Sequence, residues 1–418
     1  MKTVLWLCNR PIEAAADRRD GTWFTAMARA LTESGKINLA IVSQGKVKKP
    51  AQHNFGEITQ LVVPYEHLNL NGLPPHRTIE SIQRAFNEIK PDLIHVWGTE
   101  NYWGLLTARG FLAGPAILEM QGIKYVCAQS FYGGLSLAER TRCIGPLEIL
   151  KPGRCLFLGK RRFMLWGKFE KEMILQHKYI STQSDWVRAH VLAVNPKCIL
   201  FKTGIMLRKE FFVAEPWGPK TLNESSPQSV FICISDAPAY KGIHVLLRAL
   251  AILKRKHLRV ILNVAGDFAR KGIRRSGYSI WVQREARKLG ISDSIRWLGP
   301  LDAQEIVNQL CHASAVVIPS FVETYCLSMA EAMLVGTPVV ASFAGAIPEL
   351  ARDGESALFF PPGDESACAW QLERILRDHT LARRLSHNSR QIAFSRNQSS
   401  EVLEHQTSIY AEILGYRA

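Results

Sequence analysis

The sequence predicts an α/β fold made of two doubly wound, Rossmann-like halves. Three observations predict it. Short apolar, β-rich runs alternate with helical patterns, as in parallel sheets covered on both faces. The alternation breaks once, at residues 214–228 (AEPWGPKTLNESSPQ), a Pro-, Ser- and polar-rich stretch that reads as a linker, and then restarts. A length of 418 residues exceeds one ordinary core and suits two domains of roughly 200 residues each.

The elements follow in order. Residues 3–8 (TVLWLC) read as a buried strand and 23–34 as a helix. Residues 38–43 (NLAIVS) and 58–64 (ITQLVVP) read as strands, and 79–89 as a helix stopped by Pro91. A strand at 93–97 (LIHVW), a helix containing 105–112 and a strand at 116–120 (AILEM) complete the first series. After the linker, strands are expected at 230–235, 260–265, 295–298, 315–319, 338–342 and 358–360. Helices are expected between them at 243–254, 279–289, 303–310 and 327–334, and from Asp364 onward. The domains are therefore read as 1–214 and 215–395, with a helix at 396–418 packing back toward the first half. Two doubly wound halves bind ligands at the crevice beyond their strand C-termini, here a cleft between them.

Composition narrows the class. Hydrophobic residues make up 47% and charged residues 21%, the profile of a soluble globular protein. No run approaches the ~18 apolar residues of a membrane span. The apolar run at the start is too short for a secretory signal and reads as a first strand. Nine cysteines without a C-x-x-C pair suggest neither a disulfide framework nor a zinc site, and so a reduced, cytoplasmic protein. The net charge of +15 is uneven: the first 215 residues hold 29 Lys and Arg against 18 Asp and Glu. Such a half suits nucleic acid, an anionic membrane or an acidic substrate. No recognised nucleic-acid module is present, so nucleic acid is not an expected partner. No G-x-G-x-x-G follows the first strand, whose long loop carries RRDGT, so a standard dinucleotide cofactor is not expected.

The richest segment is 319–364, PSFVETYCLSMAEAMLVGTPVVASFAGAIPELARDGESALFFPPGD. Glu323 stands at the entrance to a helix and Glu331 about two turns into it. The N–H groups of Thr324, Tyr325, Cys326 and Leu327 lie between them, where a helix N-terminus attracts phosphate. The pair reads either as two carboxylates receiving hydroxyls from the two ends of a nucleotide sugar, or as a helix-entry and a solvated helix residue. Lys241-Gly242 precedes another helix, and a lysine there can neutralise a leaving diphosphate. Residues 151–178, from Lys151 to Lys178, interleave Arg and Lys with Phe, Leu, Met and Trp. That stretch reads either as an amphipathic helix on anionic lipid, placing the protein at the inner face of the membrane, or as a packed helix with one solvated basic face.

In order and spacing, Glu323, Glu331-Ala332-Met333, Gly336 to Ala341 (GTPVVA), Gly345, Glu349, Asp353-Gly354 and Pro362-Gly363-Asp364 resemble the donor domain of the retaining GT-B glycosyltransferases of family 4, glycosyl transferases group 1. The resemblance extends, more weakly, across the first half. It implies that Glu323 contacts the transferred sugar, Glu331 the ribose, and the amides of Tyr325 to Leu327 the diphosphate. It implies a phosphate-facing Lys241, a base contact near Leu301, and close backbone approach at Gly21, which by itself reads equally as a turn glycine before a helix. A histidine of the family is replaced by Gln121, which can still hydrogen-bond a sugar hydroxyl. The family's second diphosphate-binding base is replaced by Asp236, with Arg270, Lys271, Arg274 or Arg275 as substitutes. Tyr325 and Cys326 stand for Phe and Gly, and the second change matters only if the site needs a positive φ.

The implied reaction is sugar transfer from a nucleotide sugar to a saccharide, lipid-linked or small-molecule acceptor in cell-surface polysaccharide or glycolipid synthesis. It proceeds with retention by front-face displacement and needs neither cofactor nor metal. The absence of a D-x-D motif agrees. The alternatives are a sugar-nucleotide epimerase of the same fold and a non-catalytic sugar-nucleotide-binding subunit.

Overall fold

A computed structural model describes residues 1–12, 23–218, 228–234, 238–269 and 275–416. The chain forms two compact units. The first comprises Met1–Tyr125, Met164–Leu207 and Asn397–Ala418; the second comprises Val126–Phe163 and Arg208–Arg396.

In the first unit the described residues form one sheet. Its strands are β1 (Lys2–Cys8), β2 (Ile37–Gly45), β3 (Ala51–Phe55), β4 (Ile58–Pro64), β5 (Leu93–Trp97), β6 (Ala116–Glu119), β7 (Tyr179–Thr182) and β8 (Ile199–Lys202). The order is β3-β4-β2-β1-β5-β6-β7-β8, parallel throughout except for the β3–β4 hairpin. Val4 to Leu7 are wholly buried, as a central parallel strand requires. Three strands were not anticipated. β3 (AQHNF) is a largely exposed edge strand with no apolar alternation, and β7 and β8 are only four residues long. The helix expected through Leu112 ends at Ala108, because the chain turns into left-handed backbone at Gly110 (φ 74°). His95 and Trp97 are both core. The terminal helix Ser399–Leu414 docks through buried Tyr410, whose hydroxyl lies 3.1 Å from Trp6 Nε1 and 2.7 Å from His95 Nδ1.

The second unit holds β9 (Gln228–Ile234), β10 (Val260–Gly266), β11 (Ile295–Gly299), β12 (Ala315–Ile318), β13 (Val339–Ser342) and β14 (Leu358–Phe360). They form an all-parallel sheet ordered β11-β10-β9-β12-β13-β14. This is the doubly wound order in which the chain runs outward one way, returns to the centre, and runs outward the other way. The reversal falls between β9 and β12.

Val126–Phe163, read with the N-terminal half in the sequence, packs inside the second unit. Specific bonds explain this. Glu148 Oε1 accepts the Gly277 N–H at 2.9 Å, His244 Nε2 lies 2.8 Å from the Gly133 carbonyl, and Arg248 pairs with Glu139.

Candidate functional site

At a doubly wound reversal, the loops after the two central strands part and leave room for a ligand. In the second unit these loops follow β9 and β12, and they carry Lys241 and Glu323. Lys241 Nζ donates to Glu323 Oε1 at 2.7 Å and to Oε2 at 2.9 Å. Ser320 Oγ adds a third bond, 2.7 Å to Oε1.

The backbone is shaped to bring them together. Phe321 N–H donates to the Tyr240 carbonyl at 2.7 Å, tying one loop to the other. Gly242 (φ 71°) lies so close to Pro319 that a Cβ would stand 1.9 Å from its carbonyl oxygen. From the other side Gly345 (φ 57°) admits the Glu323 carbonyl, which accepts the Ala346 N–H at 2.9 Å. A Cβ at either glycine would push a loop off the pair.

Burial works against the charge on Lys241, but Glu323 beside it holds the amine protonated, above the ordinary lysine range. Glu331 is held differently. Burial pushes its carboxyl up, and Arg208, 2.7 Å away, draws it back. Cys233, on β9, is pushed up to about 12 by burial, with Glu331 adding to the rise and Arg208 and Lys241 acting against it. All three charges therefore stand near the end of β9.

The helix Leu327–Val335 begins at this site. Its first-turn N–H groups lack intrahelical acceptors, as in any helix. Cys326 caps it with φ 93° and ψ 78°. A Cβ is strained in that region, so the replacement of glycine matters here. Thr324 and Leu327 are half-buried and Tyr325 is buried. Leu301 follows β11 on the same sheet edge, the one formed by the parallel strand C-termini.

The structure thus brings Lys241, Glu323, Thr324, Tyr325, Cys326, Leu327, Glu331 and Leu301 to one end of one sheet. Gln121 belongs to the first unit, just beyond β6. Gly21, Asp236, Arg270, Lys271 and Arg274 lie outside the described residues. Arg275 donates to Gln283 at 2.6 Å. Sequence reasoning missed Arg208 and Ser320. Arg208 lies far from Glu331 in the chain and carries no motif. Ser320 stood inside the quoted segment, next to the strand end, which was the available signal.

The segment 151–178 also resolves. Its helix is Leu156–Gln176. The later turns are packed in the first unit: Glu170 and Met173 are buried, and a Cβ on Gly167 would meet Tyr125 Cβ at 2.5 Å. From there on one side is packed, while Lys168, Lys171 and Leu175 stay exposed. Among the described residues no helix is long and apolar enough to cross a membrane.

Residues 219–392 match the family model described as glycosyl transferases group 1. This stretch is similar to group 1 glycosyltransferase domains. Beyond it, the chain is 32% identical to a D-inositol 3-phosphate glycosyltransferase of Streptomyces avermitilis over 331 residues, 75% of this chain and 64% of that protein. It is 31% identical to a glycogen synthase of Mycobacterium tuberculosis over 151 residues, 36% of this chain. The chain spans about a third of the length of the glycogen synthase (34%). Solved structures share the fold of the whole chain. Sucrose-phosphate synthase from Thermosynechococcus elongatus matches with TM-score 0.73 at 17% identity, covering 99% of this chain and 100% of that one. Anabaena HepE, in complex with UDP and glucose, matches with TM-score 0.69 at 15% identity, covering 98% and 100%. Both solved structures share this fold of two Rossmann-like units.

Proposed function

We propose that this protein is a retaining glycosyltransferase. It moves a sugar from a nucleotide sugar to a saccharide, lipid-linked or small-molecule acceptor, in cell-surface polysaccharide or glycolipid synthesis on the cytoplasmic side of a membrane. One observation carries the reading: the Lys241–Glu323 pair stands at the strand reversal of a group 1 domain, beside the start of the helix Leu327–Val335. The HepE complex with UDP and glucose supports a nucleotide-sugar donor.

The chemistry follows from the charges. Without donor, Lys241 neutralises Glu323. A diphosphate arriving at the helix N-terminus competes for the ammonium, which then follows the negative charge growing on the leaving group. Glu323 is released to accept hydroxyls of the transferred sugar, and Glu331 receives those of the ribose. The departing phosphate takes the acceptor proton on the same face, giving retention. The ammonium and the amides supply the electrostatic stabilisation, so this reading requires no metal.

The test is turnover of radiolabelled UDP-, GDP- and ADP-sugars in excess EDTA. One donor should yield product of unchanged anomeric configuration together with its nucleoside diphosphate. Activity lost in EDTA and restored by Mg²⁺ would overturn the metal-free mechanism. Donor binding without turnover on any acceptor would assign a non-catalytic subunit, and a changed sugar still attached to nucleotide would assign an epimerase.

A further inference from the structure

We propose that residues 137–162, within the second unit, carry a face that docks on an anionic lipid bilayer. The expectation for 151–178 placed lipid contact on a basic-aromatic helix, whose later turns are packed on one side and leave Met164, Leu165 and Leu175 exposed on the other. Further exposed apolar side chains lie upstream. Leu137 (65% exposed), Ile144 (46%), Ile149 (71%), Leu150 (68%) and Leu158 (37%) all stand out of the fold within 22 residues. Single exposed leucines are ordinary, whereas a run of this density marks an interaction surface.

The inward side of the segment explains why these residues face out. Cys143 is buried, and its carbonyl sits so close to Gly277 that a Cβ there would come within 1.9 Å. Gly145 N–H and Gly277 N–H both donate to the buried Glu148 carboxylate, at 3.0 and 2.9 Å. With positions 143, 145 and 148 fixed against the helix Gly277–Lys288, the neighbours at 144, 149 and 150 have only solvent to face.

Charge selects the partner. Arg142, Lys151, Arg154, Arg161 and Arg162 are exposed around the apolar residues. The two carboxylates in the stretch are both engaged within the unit, Glu148 as above and Glu139 with Arg248 and Ser136. The exposed side chains of this stretch are therefore cationic and apolar together. A bilayer with anionic headgroups satisfies both: cations meet phosphates while leucine and isoleucine side chains enter the acyl boundary. An acidic protein surface would match the charge but leave no separate role for the apolar side chains.

The experiment is co-sedimentation of the full chain with phosphatidylglycerol-containing vesicles and with pure phosphatidylcholine vesicles, without donor, at low and high salt. Capture by the anionic vesicles alone, released at high salt, is expected. Arg161→Ser with Arg162→Ser should weaken capture about tenfold or more, since each cation near such a surface contributes about fivefold. Ile149→Ser with Leu150→Ser, which keeps every charge, should weaken it on the order of tenfold. All four residues are exposed, and thermal unfolding should confirm unchanged stability. Equal capture by neutral vesicles, no capture by either, or capture indifferent to both double variants would overturn the proposal. The readout needs no sugar transfer, so its failure leaves the transferase reading standing, and the reverse also holds.

Discussion

Each unit places acids near the ends of its central strands, but holds them by opposite means. In the second unit, Glu323 and Glu331 are met by the side-chain cations Lys241 and Arg208. In the first unit, Glu170 is buried and accepts from the backbone N–H groups of Lys124 and Tyr125, at 3.0 and 3.1 Å, and from Thr99 Oγ1 at 3.0 Å. Lys124 Nζ turns instead to the Glu100 carbonyl, 2.5 Å away. A carboxylate held by a side-chain cation can exchange that partner for a ligand. One held by amides cannot let go without unfolding its loop. The difference separates an acid able to exchange its partner from a brace, although burial alone would rank Glu170 above Glu323.

Substituting each acid by its amide tests the comparison most severely. Glu323→Gln should lower kcat/KM about 10²–10³-fold while the fold survives, because its contacts matter most with donor bound. Glu170→Gln should leave the chemistry intact and destabilise the fold, because an amide has one oxygen where two amide N–H groups and a hydroxyl converge. Wild-type turnover in Glu323→Gln would erase the distinction.

A pH series sharpens it. Burial pushes the Glu170 carboxyl up from 4.5 to about 7; the Lys124 and Tyr125 amides act against the rise and Glu100 adds to it. The folded state keeps a proton that the unfolded chain gives up. This stabilisation is complete below about 4.5 and lost as pH rises through about 7. Unfolding monitored from pH 5 to 8 should show wild type losing about 2 kcal/mol relative to Glu170→Gln. Parallel curves for the two proteins would refute this.

The smallest effect concerns the cap. Cys326→Gly should be about 1–2 kcal/mol more stable than Cys326→Ala, since only glycine relieves a φ of 93°. Equal denaturation midpoints would show that the cap is unstrained.

The sequence read the second unit better than the first for a physical reason. Its strands are short unbroken apolar runs, such as AVVI and VVAS, buried on both sides. Glycines at the turns mark their ends. β3 gave no signal because an exposed edge strand need not be apolar. Glu323 and Lys241 were legible because each stands at the entrance to a predicted helix. Arg208 was not, because the fold alone brings it to Glu331 across the chain. Nor did composition show that Val126–Phe163 packs away from its sequence neighbours, since Glu148 and Gly145 look like ordinary surface residues until Gly277 is placed beside them.

That excursion has a consequence for synthesis on the ribosome. Val126–Phe163 emerges well before Gly277, against which it closes. The first unit in turn lacks Asn397–Ala418, including Tyr410 in its core and the Asn397 amide that donates to the Ile205 carbonyl at 2.9 Å. Neither unit can finish folding in the order in which its residues are made. The nascent chain must carry an unclosed apolar segment through much of its translation, and both units close late.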